Sequence, residues 1–310
     1  MLLSRYLQSF PFDRVANGSV ATIGSFDGLH RGHRELLGRV FSEAKARNLR
    51  SVVMSFEPTP KEFFLADSPP ARLMRFREKF DALRSAGVDI FFCPRFNQAM
   101  KNIAADTFIR QILVHAFNVQ HLVIGDDFRF AQDREGHLDM LRRAGDAIGF
   151  TVEQASSVMH DGERVSSSAI RDSLWEGDLE RATGLLGHPY RMSGRVILGE
   201  RVGRQLGYPT ANVNLNRKQS AVAGIFAVRA SGKDWGPLDA VASVGTRPTF
   251  GDNKPLLEVH IFDFDKDIYG EYIHVDFVAR LRSEEKFDDV DALVEQMHRD
   301  SALAREILAA

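Results

Sequence analysis

Two histidines stand three positions apart in Gly24-Ser25-Phe26-Asp27-Gly28-Leu29-His30-Arg31-Gly32-His33, between an apolar run and a segment of helical spacing. At a helix start that spacing puts both imidazoles on one face. Gly28 and Gly32 let backbone approach a ligand closely, with no side chain in the way. The free N–H groups and the dipole of a helix N-terminus favour anions. The same dipole should hold the imidazoles neutral, each still able to donate one N–H to a phosphate oxygen. The stretch is neither a Walker loop nor a G-x-G-x-x-G fingerprint, and Gly232-Lys233-Asp234 lacks the Ser or Thr of a Walker loop. The chemistry it suits is polyphosphate binding. Histidines that merely cap or pack are one alternative. A metal pair is another, weakened because no third ligand stands nearby.

A second group follows much later. Gly194-Arg195-Val196 leads to Gly199, then to Gly203-Arg204-Gln205-Leu206-Gly207-Tyr208-Pro209-Thr210-Ala211-Asn212. Glycine-rich backbone can curl N–H groups round phosphate, and it serves plain hairpins equally well. Thr210 and Asn212 offer a hydroxyl and an amide oxygen on one face of an extended chain. Such hard oxygen donors suit Mg²⁺ that keeps several waters, and an Asx or Thr turn is the competing reading. Between the two groups lies Val165-Ser166-Ser167-Ser168-Ala169-Ile170-Arg171. Hydroxyls plus a guanidinium at a helix start suit phosphate contact, or simply an N-cap with a surface arginine. Glu258 by itself reads as an edge-strand carboxylate. Cys93-Pro94-Arg95-Phe96 carries no signal separable from a strand end.

The elements that must position these groups differ between the two halves. Strand-length apolar runs at Val20–Gly24, Ser51–Phe56, Val88–Cys93, His121–Gly125 and Thr151–Gln154 alternate with helical spacing at Glu35–Arg47, Leu73–Ser85, Thr107–Phe117 and Leu138–Ile148. That order predicts a parallel sheet with right-handed crossovers, and ligands beyond the carboxyl ends of its strands. Three turns stand there: Gly24-Ser25, Glu57-Pro58-Thr59-Pro60 and Gly125-Asp126-Asp127. A helix over Asp178–Leu186 ends at Gly187, and the texture then changes. Strand-like pieces at Gly194–Leu198, Ile225–Ala230, Ala240–Val244, Leu256–Phe262 and Ile273–Ala279 are separated only by turn residues. Val290, Leu293, Val294, Met297, Leu303 and Ile307 form one stripe of a final helix. A small antiparallel barrel closed by a C-terminal helix fits this half. Two domains are expected, 1–185 and 186–310.

The 310 residues include 26% charged and 44% hydrophobic ones at a formal net charge of −2, the profile of an ordinary globular protein. Near-neutral charge argues against bulk attraction to nucleic acid or anionic membrane. Cys93 is the only cysteine, so disulfide frameworks and cysteine-rich zinc sites are excluded. Arg5 interrupts any secretory signal core, and no run approaches a membrane-spanning length. The expectation is a cytoplasmic protein acting on small molecules, without nucleic-acid or membrane partners and monomeric by default.

His30-x-Gly32-His33 after a first strand resembles the signature of the nucleotidyltransferase superfamily. Ile23–His30 is similar to a narrower group, the bacterial bifunctional riboflavin kinase and FMN adenylyltransferase (FAD synthetase) family. Phe56–Pro60, Gly125–Phe130 and Val165–Arg171 agree with it. So do Gly203–Asn212, Gly224–Val228, Ser243–Phe250, Leu257–His260, Tyr269-Gly270 and Leu281–Phe287. The resemblance implies a Rossmann-like adenylyltransferase domain followed by a riboflavin kinase barrel. For the first it implies ATP binding by Gly24, Phe26, Asp27, His30, His33, Ser166, Ser167 and Arg171, with His30, His33 and Arg171 catalytic. It implies flavin binding there by Phe56, Pro58, Asp126 and Phe128. For the barrel it implies ATP and Mg²⁺ binding by Gly199, Gly203, Gly207, Thr210 and Asn212, the last two as metal ligands, with Glu258 as catalytic base. The implied reactions are phosphorylation of riboflavin to FMN and adenylylation of FMN to FAD, each using ATP. The family usually has Gly where Ala131 stands and Asp where His137 stands. Ser168 replaces a Thr, Ser243 an Asn and Phe226 a Tyr. Two rival readings are another nucleotidyltransferase with a non-catalytic barrel, and a non-enzymatic flavin carrier.

Overall fold

The computed structural model describes the chain except residues 200–202, 204–205 and 247–254. Arg204, Gln205 and the Arg247–Phe250 part of the motif quoted above therefore lie outside the described residues. The chain divides into two compact units, Met1–Pro70 with Met74–Val165, and Ala71–Leu73 with Ser166–Ala310.

In the first unit, β1 (Leu2–Ser4), β2 (Ser19–Ile23), β3 (Arg50–Met54), β4 (Ile90–Phe92), β5 (Val119–Gly125) and β6 (Thr151–Ala155) form one sheet in the order β1-β4-β3-β2-β5-β6. Every pairing is parallel. Helices α1 (Arg31–Arg47), α2 (Pro60–Phe64), α3 (Phe76–Ala86), α4 (Gln98–Lys101), α5 (Ala105–Phe108) and α6 (Leu138–Ile148) connect the strands. The helix expected over Thr107–Phe117 begins as α5 and widens into a π-helical stretch over Ile109–Ala116. A sheet covered on both faces needs strands that are apolar throughout, and every residue of β2 is buried. Val20 and Val53 face Leu37, Val40 and Leu83, while Ala21 and Val52 face Phe108, Ile112 and Leu113.

The chain runs β2, β3, β4 to one side and then crosses to β5 on the other. The strand order therefore reverses between β2 and β5, where a crevice opens in such sheets. β1 and the hairpin β7 (Met159–His160)–β8 (Glu163–Arg164) are too short for periodicity to reveal.

In the second unit, α7 (Ser167–Glu176) and α8 (Leu179–Leu186) precede six strands: β9 (Tyr190–Ile197), β10 (Ala211–Asn214), β11 (Gly224–Ser231), β12 (Leu238–Thr246), β13 (Pro255–Ile261) and β14 (Tyr272–Arg282). They close a barrel in the order β10-β13-β12-β11-β14-β9, antiparallel at every pairing. Closure leaves no strand edge unpaired. Gly177 lets α7 and α8 lie against β14, since a β-carbon there would fall 2.4 Å from Arg280 Cδ. This unit thus begins at Ser166, ahead of the change in sequence texture at Leu186.

The final helix, α9 (Val290–Ala309), turns the expected face inward, with Leu293, Val294, Met297 and Ile307 half-buried along it. Asp300, Ala304 and Leu308 are buried, whereas Val290 and Leu303 are 57% and 43% exposed. Arg282 grips both oxygens of Asp300 at 2.9 and 2.8 Å. Burying that charge-assisted pair fixes the roll of the helix.

Candidate active sites

The first site forms at the carboxyl end of β2. His30 is the N-cap of α1, and its Nδ1 accepts the His33 N–H at 3.3 Å. An accepting Nδ1 places the proton of the neutral ring on Nε2. The two imidazoles stack, with centroids 3.7 Å apart and planes 18° from parallel. Gly32 makes this possible, because a β-carbon there would press to 3.3 Å against the His30 ring.

Phe26, Gly28 and Leu29 all take left-handed backbone, with φ of 48°, 90° and 42°, and this coils the loop back onto the helix start. Phe26 is wholly buried, its ring 5.0 Å from that of His33. Gly24 lies against the Phe26 ring, at 3.2 Å from a notional β-carbon. Asp27, also buried, accepts the Met74 N–H at 2.8 Å, which ties the loop to the approach to α3.

His33 is held well below the ordinary imidazole pKa, by burial first, then by His30 and Lys79. The expected neutrality holds for His33, with desolvation as its main cause. Its Nδ1 is buried with no hydrogen-bond partner among the described residues. Lys79 of α3 is itself buried, and its Nζ donates to Ser55 Oγ at 3.3 Å. Ser55 Oγ in turn donates to the Ser25 carbonyl at 3.1 Å. Periodicity could not single out Lys79, because one lysine in an amphipathic helix reads as solvated. Neutral imidazole donors at a helix N-terminus, backed by a buried ammonium, can bind and align an anionic polyphosphate.

Phe56, Pro58, Asp126 and Phe128 sit beyond the ends of β3 and β5. Phe56 meets Phe96 edge-on at 5.4 Å, and Phe63 and Phe64 of α2 meet Phe96 at 5.3 and 5.8 Å. Pro58 precedes Thr59, the N-cap of α2 with its capping box. Asp126 accepts from Arg164 at 2.6 Å and also from Ser157 Oγ. Phe128 stacks on Phe130 at 5.7 Å. Ala131 follows with φ 67° and ψ −173°, a conformation natural only to glycine. His137 is the N-cap of α6, and its side chain makes no capping bond.

Ser166, Ser167 and Arg171 belong to the second unit. Ser166 caps α7, its hydroxyl accepting the Ala169 N–H at 3.1 Å. Arg171 donates to the carbonyls of Ala71 at 2.6 Å and Ser167 at 3.1 Å.

The second site is a row across the barrel wall. Asn212 on β10 pairs directly with Glu258 on β13, and Glu258 pairs with Ser243 on β12. Direct partners point to the same face, so residues far apart in sequence share one surface. Asn212 is buried because Gly199 packs over it, a β-carbon at Gly199 falling 2.3 Å from Asn212 Nδ2. A β-carbon at Gly203 would likewise fall 2.4 Å from the Tyr208 carbonyl oxygen, and Gly207 has φ 83°. Thr210 lines a cleft of about 450 Å³ with Val196, Pro209, Ile261, Asp265 and Tyr269.

Glu284 extends over Gly245, where a β-carbon would stand 1.9 Å from Oε1. Partial desolvation and the charge of Glu258 raise its pKa. Among the described residues no group of three or more His, Cys, Asp or Glu could hold a metal. The hydroxyl of Thr210 and the amide oxygen of Asn212, with Glu258 across from Asn212, are the donors that would hold a cation here. That donor set fits Mg²⁺ retaining water and ligand oxygens.

Comparison with known proteins bears on both sites. Residues 13–169 match the family model for FAD synthetase, and residues 186–308 match that for riboflavin kinase. The bifunctional riboflavin kinase/FMN adenylyltransferase of Escherichia coli (strain K12) is 45% identical over 93% of this chain and 92% of its own. The protein of the same name from Haemophilus influenzae is 42% identical over 94% and 95%. A crystal structure of a protein named macrolide-efflux protein, from Streptococcus pneumoniae, superposes with a TM-score of 0.84 at 30% identity, covering 98% of each chain. Its name concerns that protein alone, while its fold matches both units of this one. No helix among the described residues is long and apolar enough to cross a membrane.

Proposed function

We propose how this chain, which belongs to the bifunctional riboflavin kinase/FMN adenylyltransferase family, distributes its two reactions over its residues. The chain is a transferase that converts riboflavin to FMN and FMN to FAD. The adenylyltransferase domain is assigned to 1–185 and the kinase domain to 186–310. The observation that carries the reading is the single row of Asn212, Glu258 and Ser243 on the barrel, paired with the stacked His30 and His33 at the start of α1.

In the kinase reaction, Glu258 takes the proton of the riboflavin 5′-hydroxyl as that oxygen attacks the γ-phosphorus of ATP. The bond from the γ-phosphorus to the bridging oxygen breaks, and ADP leaves. Gly199, Gly203 and Gly207 shape the backbone round the phosphates. Thr210 and Asn212 would hold Mg²⁺, which when bound offsets the charge of the phosphates.

In the adenylyltransferase reaction, an oxygen of the FMN phosphate attacks the α-phosphorus of a second ATP, and pyrophosphate leaves. That oxygen is already anionic, so no general base is needed. Nε2–H of His30 and the neutral ring of His33 align and stabilise the triphosphate. Gly24, Phe26 and Asp27 shape the loop that presents them. By resemblance of the Ser-Ser-Ser loop, Ser166, Ser167 and Arg171 are assigned to the same nucleotide. Phe56, Pro58, Asp126 and Phe128 are assigned to the flavin. Cytoplasmic residence, a monomeric state and the absence of nucleic-acid or membrane partners complete the proposal.

The test is a time course with riboflavin, ATP and Mg²⁺, the flavins being separated by chromatography. FMN appearing first and FAD after it is expected. FAD from supplied FMN without riboflavin conversion would overturn the kinase assignment, and FMN alone would overturn the adenylyltransferase one.

A further inference from the structure

We infer that Tyr208, His260 and His298 are positioning residues of the kinase reaction: two imidazoles from different elements fix the two residues that precede Thr210. The inference rests on the reading above that Gly203–Asn212 handles the phosphates and Mg²⁺. Residues 206–210 of that segment are turn and irregular backbone before β10, so something else must set their shape. The Tyr208 N–H donates to the Gly203 carbonyl at 2.7 Å and closes a turn. The Tyr208 side chain is buried at 8% exposure, although both its neighbours are exposed.

The Tyr208 hydroxyl shares a hydrogen bond of 2.5 Å with Nδ1 of His298, on α9. The Tyr208 ring meets His298 edge-on at 5.3 Å and His260 of β13 at 5.0 Å. His260 Nδ1 stands 2.9 Å from the Pro209 carbonyl, which can only accept, so the imidazole donates. Tyr208 is thus clamped between strand and helix, and Pro209 is tied to the strand that carries Glu258 two residues away.

The helix end of the clamp is anchored by several contacts. Asp300 receives Arg282 and also Gln296 at 2.8 Å. Arg305 bonds Asp263 at 2.9 Å and lies over the Phe262 ring at 4.2 Å. Arg229 donates to the Leu308 carbonyl at 3.0 Å. A hydroxyl hooked to such a helix holds the nucleotide loop near its working shape before ATP arrives. Ordering it beforehand lowers the entropy lost on binding.

The experiment uses the full chain with four substitutions: Tyr208→Phe, His298→Ala, His298→Asn and Thr210→Ala. Phosphorylation of riboflavin is followed for KM of ATP and kcat separately, with melting temperature and FAD formation from supplied FMN alongside. Tyr208→Phe keeps the ring packing and loses only the hydroxyl. It and His298→Ala should each raise KM of ATP by ~3–10-fold, the scale of one hydrogen bond, with kcat less affected and FAD formation unchanged. The double variant should be no worse than either single one. His298→Asn, whose amide can replace Nδ1, should restore most of the loss. If KM is unchanged in both single variants, or only the melting temperature falls, the positioning role is overturned. If Thr210→Ala leaves the kinase intact, the assignment of the loop itself fails, and with it the premise.

Discussion

Asn212 and Glu258 are direct cross-strand partners in the barrel. The proposed metal ligand and the proposed base therefore project from adjacent strands onto one face. Ser243 extends the row on the far side of Glu258. No window of sequence contains this relationship, because β10 and β13 meet only when the barrel closes.

Glu258→Gln keeps the shape and removes the proton acceptor. Riboflavin phosphorylation should fall by ~10²–10⁴-fold, while FAD formation from supplied FMN is retained. Gly199→Ala should harm the same reaction by steric means, since its β-carbon would meet Asn212 Nδ2 at 2.3 Å. Initial-rate assays of each half-reaction check both variants.

His33→Ala should do the reverse, cutting FAD formation by ~10²–10³-fold, the cost of one lost transition-state donor, with FMN formation preserved. Loss of both activities together in a folded variant would contradict the division between sites.

Ala131→Gly should stabilise the protein. Ala131 is held at φ 67° and ψ −173°, strain that costs about 1–3 kcal/mol and that glycine avoids at some expense in unfolded-state entropy. A net gain of about 1 kcal/mol and a Tm higher by about 2–4 °C are expected. His137→Asp would supply the capping bond that α6 lacks, also worth about 1 kcal/mol. Thermal unfolding at pH 7 measures both.

His33 also gives the fold a pH dependence. Its folded pKa is depressed by burial, His30 and Lys79, so the unfolded chain takes up the proton first as pH falls. Stability contributed by the neutral ring is present above the unfolded imidazole pKa of about 6.5 and is lost below it. The slope is up to about 1.4 kcal/mol per pH unit for one proton. Denaturant unfolding between pH 7 and 5 should show a shallower loss in His33→Gln than in the parent chain.

The sequence determined the parallel sheet followed by an antiparallel barrel, the helix start that carries His30 and His33, and every barrel strand except the one that begins inside the Pro-Thr-Ala-Asn motif. It could do so because these features are local: apolar periodicity, glycines at turns, and side chains within one helical turn of each other. Ala131 was visible as a departure from its family, but only the backbone angles show that it sits where glycine belongs. The tertiary structure alone decided that Asn212, Glu258 and Ser243 share a face, that Lys79 is buried beside the stacked histidines, and that His298 reaches Tyr208. It also placed Asp300 on the buried face of α9, where Arg282 pairs with it. Each of these depends on pairing and burial between distant segments, and those energies exist only once the chain has closed on itself.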